Sequence, residues 1–363
     1  MRIAFFGSSL VSAYWNGAAT YYRGIIRALA ARGHAVTFFE PDALDRQAHR
    51  DIDPPDWARS VVYPATPGGL GGALEQARQA DVLIKASGVG VFDAELERGV
   101  LEVRRGGQIA IFWDVDAPAT LERMQNDPED RLRPLIPCFD LVLTYGGGDP
   151  VIEAYEALGA RTCVPVYNAL DVATHHPVPP EDRFAADLTF VGNRLPDREA
   201  RVEEFFLAPA RQLPGQRFLL GGSGWADKAD VPANVTRLGH VFTRDHNTLN
   251  CSARAVLNIN RASMARFGFS PPTRLFEAAG AGACLITDAW GGIEQFLEPG
   301  KEVLVAEDGA AVATLLRDLD PVRAAEIGEA ARRRLLREHT YAHRALQVDA
   351  LLQGVAGARV AAA

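Results

Sequence analysis

No run in this sequence approaches the roughly 18 consecutive apolar residues of a membrane-spanning helix, so none is expected. Cysteine is scarce. Cys138, Cys163, Cys251 and Cys284 are the four, they form no C-x-x-C pair, and each falls in or next to an apolar run. That usage predicts buried free thiols in a reducing compartment. Basic residues are not in excess either, with 38 Lys and Arg against 46 Asp and Glu and a formal net charge of −8. They are scattered, whereas a nucleic-acid binder needs them clustered against phosphate, so no nucleic-acid partner is expected. The nearest thing to a run, Arg332-Arg333-Arg334, reads as the solvated face of a late helix. Neither G-x-G-x-x-G nor a Walker A lysine motif is present, so no glycine loop specifies NAD or ATP. The first apolar run, Ile3 to Phe6, lacks a longer apolar continuation and a cleavage site, and reads as a strand of a cytoplasmic protein.

What is present is length enough for two domains, 363 residues with 48% hydrophobic and 23% charged, a balance that permits two sizeable cores. Short apolar runs alternate with helical spacing from the start. Strands are expected at 3–6, 35–39, 82–85, 108–113, 141–144 and 162–165. The first helix carries Tyr22, Ile25, Ile26 and Leu29 and ends at Gly33, where a left-handed cap is wanted. The pattern breaks at His175-His176-Pro177-Val178-Pro179-Pro180, a linker by its prolines. A second series follows, with strands expected at 188–191, 217–220, 235–238, 255–259, 284–287 and 302–305. Helices are expected at 196–212, around Glu277, and at 324–337 and 341–353.

Repeated β-α-β units give parallel sheets covered on both faces. The expected fold class is therefore α/β, two doubly wound Rossmann-like domains in series facing a central cleft. The expected divisions are 1–170, 171–338 and a terminal helix, 339–363, packing back on the first domain. In such sheets ligands bind outside the carboxyl ends of the strands, which says which loops to read.

Glycine stands in five of those loops: Gly7-Ser8-Ser9, Gly88-Val89-Gly90, Gly146-Gly147-Gly148, Gly192-Asn193-Arg194 and Gly221-Gly222-Ser223-Gly224. Glycine admits a close backbone approach to phosphate or sugar, and a following helix favours anions. Each loop taken singly reads as well as a tight turn. In Ser270-Pro271-Pro272-Thr273-Arg274-Leu275-Phe276-Glu277 an acidic residue enters a helix ahead of a small-residue turn and an apolar strand ending at Asp288. A carboxylate there accepts two hydrogen bonds at once, which suits the vicinal hydroxyls of a ribose. A helix glutamate paired with Arg274 is the plainer alternative.

The block Phe267 to Asp288 resembles the donor-site signature of group 1 glycosyltransferases of the GT-B fold, with Glu277 matching the ribose-binding glutamate. Val166-Tyr167-Asn168-Ala169-Leu170-Asp171 followed by His176-Pro177 resembles the family's interdomain crossing. Leu188 to Asn193 resembles the first strand and phosphate-facing loop of its second domain. Leu257 to Arg261 and His339 to Arg344 are similar to the spore-maturation-type branch. The resemblance covers the second half; over the first half it is architectural. One position departs from the pattern: eight residues before Glu277, where many retaining members carry glutamate, stands Phe269.

The resemblance implies transfer of a sugar from a nucleoside-diphosphate sugar (UDP, GDP or dTDP) to an acceptor hydroxyl on a small molecule, glycan or protein, with retention and no tightly bound cofactor. The nucleotide-binding set it implies is Gly192, Asn193, Arg194, Gly222, His240, Asn260, Ser270, Thr273, Arg274 and Glu277. No Asp-x-Asp sits in the second half, so the departing diphosphate is expected to meet Arg194, Arg198 and a helix N-terminus rather than a metal, with Arg261 and Arg274 as further cations. Arg198 reads equally as a surface residue. In the first half, Asp114 and Asp116 end a strand and are expected to face the acceptor, orienting or deprotonating its hydroxyl; capping by Asp116 ahead of Pro118 is the alternative. Tyr14, Trp15 and Asn16 are candidates to stack on a sugar. A nucleotide-sugar epimerase and a non-catalytic nucleotide-sugar binder are the competing readings on the same fold.

Overall fold

The computed structural model describes residues 1–14, 16–260, 265 and 268–362, with side chains for all of these except 197 and 358–362. Trp15, Arg261 and Phe267 lie outside the described residues. The chain divides into two compact units, Met1–Asn168 with Tyr341–Ala363, and Ala169–Thr340.

Unit 1 is built on β1 (Arg2–Phe6), α1 (Ala19–Ala31), β2 (Ala35–Asp42), β3 (Arg59–Pro64), α2 (Pro67–Ala77), β4 (Val82–Ala86) and α3 (Asp93–Val103). It continues with β5 (Ile109–Asp114), α4 (Ala117–Asn126), β6 (Leu141–Thr144), α5 (Gly148–Ala157) and β7 (Cys163–Pro165). The seven strands pair in parallel in the order β3-β2-β1-β4-β5-β6-β7. Every residue of β5 is buried, as a central strand covered on both faces requires. Ring pairs such as Phe5 on Phe38 and Phe6 on Phe39 tie β1 to β2. Gly33 closes α1 with φ +88°, the left-handed turn its position predicted. The strand at Arg59–Pro64 was not expected. It lies at the sheet edge, paired only with β2, and its mixed sequence keeps just Tyr63 buried, so no continuous apolar run announces it.

Unit 2 carries β8 (Ala186–Val191), α6 (Pro196–Val202), α7 (Ala208–Gln212), β9 (Phe218–Gly221), β10 (Val235–Gly239), α8 (His246–Ser252) and β11 (Ala253–Asn258). It then carries α9 (Thr273–Gly280), β12 (Leu285–Asp288), β13 (Leu304–Ala306), α10 (Gly309–Asp318) and α11 (Pro321–Glu338). Its six strands run parallel in the order β10-β9-β8-β11-β12-β13. All six lie within two residues of their expected places. The single helix expected over 196–212 is interrupted by a π turn at Glu203–Leu207, where Ala208 N donates to Glu203 O, five residues back. Pro209 has no N–H to offer Phe205 O, and the wider turn buries Phe205, Phe206 and Leu207 together.

In each sheet the strand order reverses once, at β1/β4 and at β8/β11. The loops after those strands flank the crevice where doubly wound sheets hold ligands.

Two thiol expectations need correction. Cys163 and Cys284 are buried, and burial pushes both thiols up to about 12. Cys138 is exposed and Cys251 only half-buried, because each lies in the last turn of a short helical segment instead of entering a strand. Among the described residues no helix is long and apolar enough to cross a membrane.

The chain's last helix, α12 (Tyr341–Ala362), belongs to unit 1, where it packs on α1. Tyr341 lies against Gly24: a Cβ at Gly24 would come within 2.1 Å of its ring. The Tyr341 hydroxyl bonds the Asn168 side chain, and Arg32 and His34 meet Asp349. Gly24→Ala should therefore destabilise by about 1–3 kcal/mol through overpacking. Gly71→Ala, in α2 with nothing within 4 Å of the added carbon, should stabilise by about 0.5–1 kcal/mol. Urea unfolding of both variants checks the pair; equal effects would show that the Gly24–Tyr341 approach does not hold in solution.

Candidate functional site

The loops leaving β8 and β9 are joined backbone to backbone. Gly192 N donates to Gly221 O at 3.0 Å, Arg194 N to Ser223 O at 2.9 Å, and Gly222 N to Gly239 O at 2.7 Å. Asn193 Oδ1 accepts from Ser223 N at 3.0 Å, and the buried Trp225 indole donates to Gly192 O at 2.7 Å. Gly222 adopts φ +118°, and a Cβ there would sit 2.2 Å from Gly192 O. Only glycine permits this approach. The result is a rigid loop pair at the carboxyl edge of the sheet.

The cations expected nearby are mostly engaged. Arg194 grips Glu199 with two parallel bonds of 2.8 and 2.9 Å, the strong fork geometry of a guanidinium on a carboxylate. Arg198 donates from Nη1 to Asn193 O at 3.3 Å. Arg201 meets Asp288 at 2.6 Å. Asp288 is fully buried, and burial raises its pKa although Asn260 N and Arg201 pull it down. Asn260 closes the same cluster: its N–H donates to Asp288 at 3.0 Å, and its buried Nδ2 has no partner among the described residues.

Glu277 sits one turn into α9 in a ring of potential cations. Arg274 Nη1 is 3.8 Å and His175 Nε2 4.0 Å from its carboxylate oxygens. Burial alone would raise the Glu277 pKa, but Arg274, His175 and His246 together hold it below the usual glutamate value. Arg274 also donates from Nη2 to Val191 O at 3.1 Å, tying α9 to the end of β8 beside the glycine loops. Thr273 opens α9, with Ser270 buried before it. His240 is exposed after β10, edge-on to the exposed Phe242 ring with centroids 4.7 Å apart. Thus Gly192, Asn193, Arg194, Gly222, Arg274 and Glu277 occupy one neighbourhood, with Asn260 in the adjoining Asp288 cluster and His240 on the next loop.

Four residues of this neighbourhood were not singled out from sequence. His175 reads in the sequence as part of a proline linker, and His246 falls in no motif. Arg201 and Asp288 pair across 87 positions, a distance no local pattern reports.

Phe269 has φ +47°, and its N–H donates to Gly291 O at 2.6 Å. Its ring covers Gly292, where a Cβ would come within 2.3 Å. This position is therefore spent on packing a turn, at the cost of a left-handed backbone.

In unit 1, Asp114 is fully buried. Ser87 Oγ, Thr120 Oγ1 and Asp116 N donate to one of its oxygens, and the Tyr155 hydroxyl to the other. Asp116 is exposed and holds the N-cap position of α4, but its side chain makes no capping bond. Asn16 spends its side chain inside its own loop, on Ser8, Ser9 and Ser12, while Tyr14 stacks on His49 at 3.9 Å. Lys85 is buried at the end of β4 between Asp93 (2.6 Å) and Glu97 (3.2 Å), a network unforeseen from sequence.

A family model described as Glycosyl transferase-like matches residues 198–350. No curated protein matches the chain. Solved structures do. HepE of Anabaena, in complex with UDP and glucose, superposes with TM-score 0.68 at 14% identity, covering 98% of this chain and 100% of that one. Sucrose-phosphate synthase of Thermosynechococcus elongatus gives 0.70 at 17% identity over 99% and 100%. An α-glucosyltransferase in complex with UDP-glucose and DNA containing an abasic site gives 0.71 at 12% over 97% and 99%. The family match lies within the second half of the chain, and the likeness to the solved structures shows the fold, two doubly wound Rossmann-like domains of the GT-B kind.

The charge ring makes a pH prediction. Burial first, and then Arg274, hold the His246 pKa below its ordinary value, against the pull of Glu277. The unfolded chain therefore takes up a proton near pH 6.5 that the folded chain resists, so stability falls as pH drops below that point. Glu277 acts in the same direction lower down, its contribution being lost as pH falls through its depressed pKa. The melting-temperature difference between the native chain and His246→Gln should shift against the native chain from pH 7.5 to 5.5; a constant difference would show that His246 titrates normally.

Proposed function

We propose that the protein transfers a sugar from a nucleoside-diphosphate sugar, a UDP-sugar in the first instance, to an acceptor hydroxyl, retaining configuration and using no metal. The observation that carries this reading is Glu277, an ionised carboxylate beside two interlocked glycine loops at the carboxyl edge of a doubly wound sheet. Its two oxygens suit the two ribose hydroxyls as acceptors. His240 and Phe242 offer aromatic faces for the base on the next loop. HepE and the α-glucosyltransferase, crystallised with UDP and UDP-glucose, support the choice of uridine nucleotide.

In the proposed reaction the bond from the sugar's anomeric carbon to phosphate oxygen breaks, and its electron pair leaves with the diphosphate. The acceptor oxygen bonds that carbon and gives up its proton. The leaving charge is met by N–H groups of the Gly192 loop and by Arg198 and Arg274. Arg194 joins them by exchanging Glu199 for phosphate. On the acceptor side Asp116 is the exposed carboxylate that orients the hydroxyl and receives its proton. Asp114, with four donors on its two oxygens, holds the strand-end loop in place.

A thermal-shift series with UDP, GDP, dTDP, ADP and CMP, with and without EDTA, tests the donor assignment. A nucleotide at 100 times its Kd stabilises by about 2.7 kcal/mol. A shift with UDP that EDTA leaves unchanged is expected; no shift with any of the five removes the donor reading. Glu277→Ala should weaken UDP by about 1–3 kcal/mol, and undiminished affinity in a folded variant takes Glu277 out of the site. Asp116→Asn should lower transfer while leaving UDP affinity intact, and parallel losses would undo the acceptor-side role. Donor binding without turnover would identify a nucleotide-sugar binder instead.

A further inference from the structure

Unit 1 holds a buried arginine with no acid to meet it. Arg46 stands in the loop after β2, only 5% exposed, and makes no ion pair among the described residues. The two acids that act on it do so from beyond ion-pair distance, because both are engaged elsewhere. Glu40 accepts from Leu10 N and from Gln47 Nε2, and Asp93 accepts from Lys85, Val89 N and Gly90 N. Burial lowers the Arg46 pKa, with Tyr22, Glu40 and Asp93 pulling the other way, and a guanidinium stays charged throughout.

Its Nη1 donates to Ser8 O at 3.1 Å and to Val89 O at 2.7 Å, bridging the loops that leave β1 and β4. Those strands flank the point where the order of the sheet reverses, the ligand crevice of a doubly wound sheet. A clamp on two carbonyls needs one amino group and no positive charge. Nη2 is left over. It makes no bond among the described residues, and of the three side-chain nitrogens only Nε is both unpartnered and sealed from solvent, so Nη2 opens outward. It flanks the exposed Gly90, where an added Cβ would lie 3.4 Å from Nη2 and 2.8 Å from Leu44 Cδ1. Over the neighbouring Gly88 the space is empty to 4 Å. The loop that delivers Arg46 holds Leu44 and Asp45 at φ +57° and +55°. Left-handed backbone at two consecutive non-glycine residues is strain of the kind that gathers at ligand sites.

We propose that Arg46 Nη2 receives an oxyanion of the acceptor, so that the molecule receiving the sugar bears a carboxylate or a phosphate. A guanidinium already stripped of most of its water loses little more on meeting an anion, and the charge-assisted bond is roughly twice as strong as a neutral one. A neutral acceptor would leave the buried charge as it stands. Arg46 thus selects the acceptor and takes no part in moving its proton. This rests on the reading of unit 1 as the acceptor side.

The probes are methyl β-D-glucuronide and glucose 6-phosphate, titrated into the full chain with and without UDP and followed by ligand-observed NMR and calorimetry. Methyl β-D-glucoside is the uncharged control. The measurement needs no turnover and UDP binding is read separately, so its failure is distinct from a failure of the donor assignment. At least one anionic sugar should bind with Kd on the order of 1 mM or tighter, about tenfold or more better than the glucoside, and the two arms tell carboxylate from phosphate. Arg46→Gln should abolish that preference. Leu44→Glu leaves Arg46 and its two loop contacts in place and sets a carboxylate beside Nη2 from an exposed position, so it should abolish the preference in an undisturbed fold. No binding of either anionic sugar below about 10 mM, equal binding of the glucoside, or a preference that survives either substitution would overturn the proposal.

Discussion

The donor site proposed for the second half of the chain rests on one contact between two peptide backbones. Gly222 and Gly192 approach so closely that a single methyl group at residue 222 would overlap a carbonyl oxygen. That approach lets the loops after β8 and β9 exchange hydrogen bonds and brings Ser223 onto Asn193 and Arg194. The buried Trp225 indole then donates to Gly192 O. The geometry is imposed by the absence of a side chain, and it costs conformational entropy that the surrounding core must offset.

On this frame the charges are arranged in opposed pairs. Arg194 faces Glu199, Arg201 faces Asp288, and Arg274 faces Glu277. Breaking a partly buried pair without replacement is expensive, so an anionic ligand gains only where it takes over a carboxylate's role. Such a site discriminates by exchange: a diphosphate offers more acceptor oxygens than the carboxylate it displaces, whereas a chloride or a single carboxylate does not. Selectivity of this kind needs no unpaired cation at rest.

The periodicity of apolar runs located all six strands of unit 2 and most of unit 1, because parallel strands buried on both faces leave continuous apolar stretches. It missed Arg59–Pro64 because an edge strand is half polar, and it missed the π turn because that depends on the N–H Pro209 lacks. Glu277, Arg274 and the Gly192 loop were legible through their resemblance to a known signature. His175, His246 and Arg201 were not, since each acquires its surroundings only when segments distant in sequence meet. Asp114 shows the same limit from the other side: a strand-end acid looks chemically free in a sequence, and only the fold reveals Ser87, Thr120 and Tyr155 converging on it.

The assignment of α12 to the unit that holds the first strand has a consequence for biosynthesis. Unit 2 is one uninterrupted stretch, Ala169–Thr340, whereas unit 1 is completed only by the helix that follows it. At translation rates of roughly 5–20 residues per second, unit 1 waits on the order of ten to thirty seconds for its last helix while unit 2 is being made. Through that interval the face of α1 around Gly24 has no Tyr341 to cover it. The first unit to start is thus the last to finish, and chaperone demand should fall on the amino-terminal half of the nascent chain.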